Sequence, residues 1–152
     1  MAWFAAPAGD AAAAALPPNY GLCVLVLGVG FGVDAALKVA VIMARKKYHV
    51  AYPNLYAPHG HKHKYEFDSV QRGHANFLET YAPTMLQMMG AGLVYPRYAA
   101  AFGATYLLGC LIKGIGYGVS GPEGRRLGGI IAHLGDLPLA FLTFRAAFKL
   151  LV

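Results

Sequence analysis

Charge is scarce in this sequence. Only 13% of its 152 residues are Asp, Glu, Lys or Arg, against roughly a quarter in soluble domains. With 57% of residues hydrophobic and a mean hydropathy of +0.45, the chain carries more apolar surface than a small globule can hide. About a third of such a chain's surface stays wet. A water-soluble fold is therefore excluded, and so is disorder, which needs the opposite composition. The excess must face lipid. Cysteine is nearly absent: Cys23 and Cys110 both lie in apolar runs, too few for a disulfide framework and silent about redox compartment. Acidic residues number seven against thirteen basic ones, for a net charge of +6. The cations gather at the ends of apolar runs, which points to membrane topology rather than to a nucleic-acid partner.

The first residues, 1–19, form an Ala- and Pro-rich arm with no basic opening, read as loose or interfacial rather than as a cleavable signal. The rest, 20–152, reads as one domain with four apolar runs at about 20–44, 70–93, 97–119 and 128–148. Each is long enough to cross roughly 30 Å of hydrocarbon as a helix, with a bend expected at Pro138. Glycine within these runs suits membrane helices, whose backbones approach through small residues. The connection between the first two runs carries Arg45, Lys46, Lys47, Lys62 and Lys64, and the last connection carries Arg125 and Arg126. The positive-inside rule puts both on the cytosolic or matrix-like side.

Ionisable residues inside such runs are costly and face a bundle interior or a wet cavity. Asp34, Lys38 and Arg45 are spaced i, i+4, i+11 and fall within about 40° of one another on a helix. Asp34 and Lys38 read as a self-satisfied ion pair. In the second run Arg72, Asn76 and Glu79 share an arc of about 60°. A planar cation, an amide and a carboxylate together make a receptor for a zwitterion. These three are expected to converge on one hollow. Lys113 and Tyr117 lie one turn apart in the third run, with Arg125 and Arg126 just beyond. His133, Asp136 and Arg145 read as structural, or as facing another chain. The run HGHKHK at 59–64 is taken as a solvated basic loop, not a metal site, because Lys62 and Lys64 would repel a cation.

Two stretches, ARKKYHVAYPNLY at 44–56 and VQRGHANFLETYAP at 70–83, resemble the membrane-associated proteins in eicosanoid and glutathione metabolism, the MAPEG family. The closest likeness is to its type-three microsomal glutathione S-transferases. That resemblance implies an all-α, left-handed four-helix membrane bundle assembled as a homotrimer, with glutathione as co-substrate between subunits. By motif it assigns glutathione binding to Arg45 (from a neighbouring chain), Arg72, His74, Asn76, Glu79 and Tyr117. Lys113 is a further candidate, standing in for a lost pocket group. Arg125 or Arg126 would stabilise the thiolate. The implied function is a glutathione transferase or peroxidase for lipophilic electrophiles or lipid hydroperoxides drawn from the bilayer, with the endoplasmic reticulum as the expected compartment and mitochondrial or plastid membranes as alternatives.

The third run departs from the family pattern. Cys110 and Lys113 occupy positions where relatives carry Arg and Tyr, and Thr80 stands where some have Tyr. A second reading follows from that departure: a non-catalytic, MAPEG-like accessory subunit of a larger organellar membrane complex. Nothing shows the inverted repeats or broken helices of a secondary transporter.

Overall fold

The computed structural model describes residues 16–151, so most of the Ala/Pro-rich arm, 1–15, lies outside the described residues. Those described are all-helical. The helices are α1 (Gly21–Tyr48), α2 (Lys64–Gly92), α3 (Pro96–Ser120) and α4 (Arg125–Leu151), with a 3-10 turn, Gly121–Gly124, joining the last two. Each helix outruns the apolar stretch that marks it, most of all α2, whose polar opening from Lys64 is helical as well. At 28 residues, α1 is about 42 Å long, enough to cross a bilayer and carry its basic last turn beyond it. Both α2, through Pro83, and α4, through Pro138, continue as helix past their prolines.

The membrane character lies in what the helices leave outside. On α1 the buried residues Cys23, Val26, Gly30, Val33, Leu37, Val41 and Ala44 recur every three or four positions, one stripe facing the bundle. The opposite face is equally apolar, with Leu25, Val29, Phe31 and Met43 all exposed. A soluble helix would be polar there. By length and composition α1 and the stretch Pro96–Leu151 can cross a membrane, with mean hydropathies of 2.0 and 1.5. The polar helix α2 is absent from that set, because Lys64, Glu66, Asp68, Arg72, Asn76 and Glu79 lower its hydropathy over its first half.

Helix ends follow local chemistry. Arg45, Lys46 and Lys47 sit in the last turn of α1, where cations offset the carbonyl end of the helix. Pro96 opens α3, a position where its missing N–H costs nothing. At the other end of α3, Gly121 has φ of 63°, and a Cβ there would collide with the Tyr65 ring. Only glycine meets both demands.

The closest packing is between α3 and α4. Gly109 and Gly116 on one side meet Gly124, Gly128 and Ala132 on the other, backbone against backbone, so that a Cβ on any of these glycines would run into main-chain atoms. Small residues of this kind let membrane helices approach for dispersion and close contact. The helix α1 packs on α2 and α3 and, among the described residues, does not reach α4. One end of the bundle therefore gathers the 49–63 loop and the 3-10 turn. The other gathers Tyr20, the α2–α3 link and the last turn of α4.

Candidate functional site

A cavity of about 550 Å³ opens between α2, α3 and α4 near the basic end. Its wall includes Asn76 and Thr80 from α2, Tyr106 and Lys113 from α3, and Arg125, Arg126, His133 and Asp136 from α4. The close α3–α4 seam fixes one side. Gly128 rests on the backbone at Lys113, and Gly109 rests on Ala132. The side chains flanking this seam are thereby turned into the groove beside α2.

Three cations, Lys113, Arg125 and Arg126, and one carboxylate, Asp136, face this space. The balance suits a ligand bearing two carboxylates and one ammonium. Arg125 Nη1 donates to the hydroxyl of buried Tyr117 at 3.1 Å, which fixes the guanidinium with donors to spare. Arg126 instead pairs with Glu123 at 2.6 Å, both side chains being more than 70% exposed. Of the two arginines that the sequence left undivided, Arg125 is the one held in place.

The second-helix triad is divided. Arg72 and Glu79 bond to each other at 2.6 Å on an open flank, 44% and 51% exposed, and only Asn76 lines the main cavity. Arg72 borders a neighbouring hollow of about 490 Å³ that also contains Tyr65 and Tyr117. Within one chain, then, the three do not share a hollow as expected. Spaced seven residues apart on one face, opposite charges close the arc by reaching for each other.

Two further candidates are engaged elsewhere. His74 is buried, and its Nε2 donates to Asp34 Oδ1 at 2.9 Å, while Lys38 holds the other oxygen of that carboxylate at 2.7 Å. The expected Asp34–Lys38 pair is present, and His74 extends it across to α2. In this arrangement His74 fixes the rotation of α2 and presents no free donor to the cavity. Arg45 folds back on its own chain, donating to the carbonyls of Val50 and Asn54 at 3.1 and 2.9 Å, with its guanidinium 4.4 Å from the Tyr52 ring centre. Its Nε is buried and unpartnered, and the residue borders a hollow of about 520 Å³.

Some of the cavity wall was not foreseen. The Thr80 hydroxyl donates to the Asn76 carbonyl at 3.2 Å and so accepts from Tyr106 at 2.7 Å. Tyr106 is 1% exposed, and its phenol anchors the turn that carries Asn76. On α4 the His133 Nδ1 lies 3.1 Å from Asp136 Oδ2. A carboxylate only accepts, so Nδ1 carries the hydrogen and Nε2 stays open. The sequence held one signal for this pair: Arg126, His133 and Asp136 lie on the face beside the Gly128–Ala132–Gly135 seam. In the HGHKHK run the His61 Nδ1 accepts from the backbone of His63 at 3.2 Å.

The sequence model of the MAPEG family matches residues 23–147, most of the chain and all four helices. The protein belongs to the MAPEG family, the membrane-associated proteins of eicosanoid and glutathione metabolism. It is a membrane protein, and family members generally use glutathione. The resemblance carried by the 44–56 and 70–83 motifs holds at the family level.

Proposed function

We propose that this protein is a membrane-bound glutathione transferase or peroxidase acting on lipophilic electrophiles or lipid hydroperoxides, nearest in kind to the type-three microsomal enzymes. The active form is a left-handed homotrimer, expected in the endoplasmic reticulum. The observation that carries this reading is the three-cation cavity bordered by Asn76, with Arg125 fixed by Tyr117. Its volume lies within the range of pockets that take small organic ligands, and its charge fits the two carboxylates and single ammonium of glutathione.

Lys113 takes one carboxylate, Asn76 bonds a peptide group, and Arg72 and Glu79 exchange their mutual bond for the other carboxylate and the ammonium, with Arg126 at the exposed rim. Tyr117 orients Arg125, which stabilises the thiolate. A thiol of pKa about 8.5 is only a few per cent ionised at neutral pH. Lowering that by two units takes about 2.7 kcal/mol, the upper range for one charge-assisted hydrogen bond from a guanidinium. Arg45 from an adjacent subunit and His74, which holds α2 in register through Asp34, complete the site. With an electrophilic carbon, the sulfur forms an S–C bond and the displaced or added centre takes up a proton. With a hydroperoxide, the sulfur takes one oxygen as the O–O bond breaks, the alkoxide is protonated, and a second thiol releases water and forms the disulfide.

The Arg72–Glu79 closure and the substitutions at Cys110 and Lys113 favour one other reading, a MAPEG-like accessory subunit that retains the bundle without turnover. Purified protein assayed with glutathione and a lipid hydroperoxide separates the two. Turnover above a detergent blank from a three-copy assembly supports the enzyme. A single copy recovered with other membrane subunits, binding no glutathione, supports the accessory role.

A further inference from the structure

The end of the bundle away from the basic loops holds a feature with no part in this chemistry. Arg145 and Lys149, one turn apart on α4, both lie over the ring of Tyr95, at 6.0 and 5.7 Å from its centre. With Phe148 they line a surface hollow of about 500 Å³. Neither cation has an acidic partner among the described residues. Like charges at i, i+4 on a helix repel, and a shared ring face compensates two cations only in part.

Position narrows what could lie between them. Arg145 is twenty residues along α4 from Arg125, about 30 Å, which is the thickness of a bilayer's hydrocarbon core. If the two basic loops face the cytosol or matrix, these cations stand on the side where they are disfavoured. Below them, toward the membrane centre, Leu137 and Phe141 are exposed on the same face as Arg145, separated from it by two turns and one.

We propose that Tyr95, Arg145 and Lys149 form a headgroup site for a phosphate-bearing anionic lipid. The phosphate sits between the two cations, Tyr95 closes the floor, and one acyl chain follows the Phe141–Leu137 track. The site accounts for the paired like charges, their aromatic floor and the apolar lane that leads to them.

The test uses the full-length protein in detergent, titrated with short-chain phosphatidylglycerol, phosphatidylcholine or inorganic phosphate. Bound adducts are read by native mass spectrometry and stability by the thermal midpoint. Phosphatidylglycerol binds more tightly than phosphatidylcholine and raises the midpoint, while inorganic phosphate does neither. A cation near a lipid surface contributes about 1 kcal/mol, so the R145Q/K149Q variant binds phosphatidylglycerol roughly 25-fold more weakly, and R145K/K149R stays within a few-fold of the parent. Equal binding of the two lipids overturns the proposal, and that comparison needs no variant to fold. Undiminished phosphatidylglycerol binding by R145Q/K149Q also overturns it, as does equal stabilisation by free phosphate. A change in subunit number with unchanged lipid retention would mean that a second copy covers this face instead.

Discussion

Arg125 and Arg126 differ by one position and by what holds them. Arg125 is bonded to buried Tyr117, whereas Arg126 reaches out to an exposed glutamate. A group that stabilises charge in a transition state must be fixed before the charge appears. Arg125→Ala should therefore lower kcat/KM with a lipophilic electrophile by about 100-fold, and Arg126→Ala by no more than about threefold. Steady-state kinetics on both variants checks this, and the reverse order would reassign the thiolate partner. The sequence could not separate them, since the difference lies in the partner each finds, buried Tyr117 or exposed Glu123. His74 shows the opposite difficulty. Its place in a recognisable motif suggested a ligand contact, but in the single chain it bonds the carboxylate oxygen of Asp34 that Lys38 leaves free. Asp34 and Lys38 were legible because they are local; their third partner lies forty residues away, and spacing along one helix is blind to it.

Among the helices, the α3–α4 seam matters most to the cavity. Each apolar run overlaps one helix, although α2 opens at Lys64, ahead of its run, because polar residues that hydropathy passes over are helical as well. The pairing of helices was less legible. Gly109, Gly116, Gly128 and Gly135 looked like ordinary membrane glycines until the two stripes were seen to face each other with no room for a Cβ. Gly128→Val puts a branched side chain against the backbone at Lys113. The expected cost is about 3 kcal/mol or more, with loss of glutathione binding because Lys113 and the α4 wall move apart. A thermal midpoint in detergent, compared with that of Gly129→Val at an open position, isolates the seam from general overpacking.

At the scale of the whole molecule, α1 and α4 lie at opposite edges of the bundle and leave long apolar faces uncovered. Different surfaces on two edges make a head-to-tail contact, which closes into a ring when the rotation permits. If, as proposed, three chains close such a ring with Arg45 of one beside the cavity of the next, a site draws on two chains. Co-expressing an Arg45→Ala chain with an Arg125→Ala chain should then restore about a quarter of parental activity from two inactive parents, since random pairing leaves that share of interfaces intact. No recovery in mixed assemblies would place every catalytic group on one chain. Composition alone made the membrane evident, and the 44–56 and 70–83 motifs made the family evident. The division of the Arg72–Asn76–Glu79 set was not evident, because it depends on which partner is nearest in three dimensions.

The clasp between Arg72 and Glu79 sets a condition on any visitor. Both side chains are about half exposed, so a simple ion that captures one leaves the other to water and gains little by the exchange. A molecule bringing both signs, at about the same separation, answers both halves of the clasp at once.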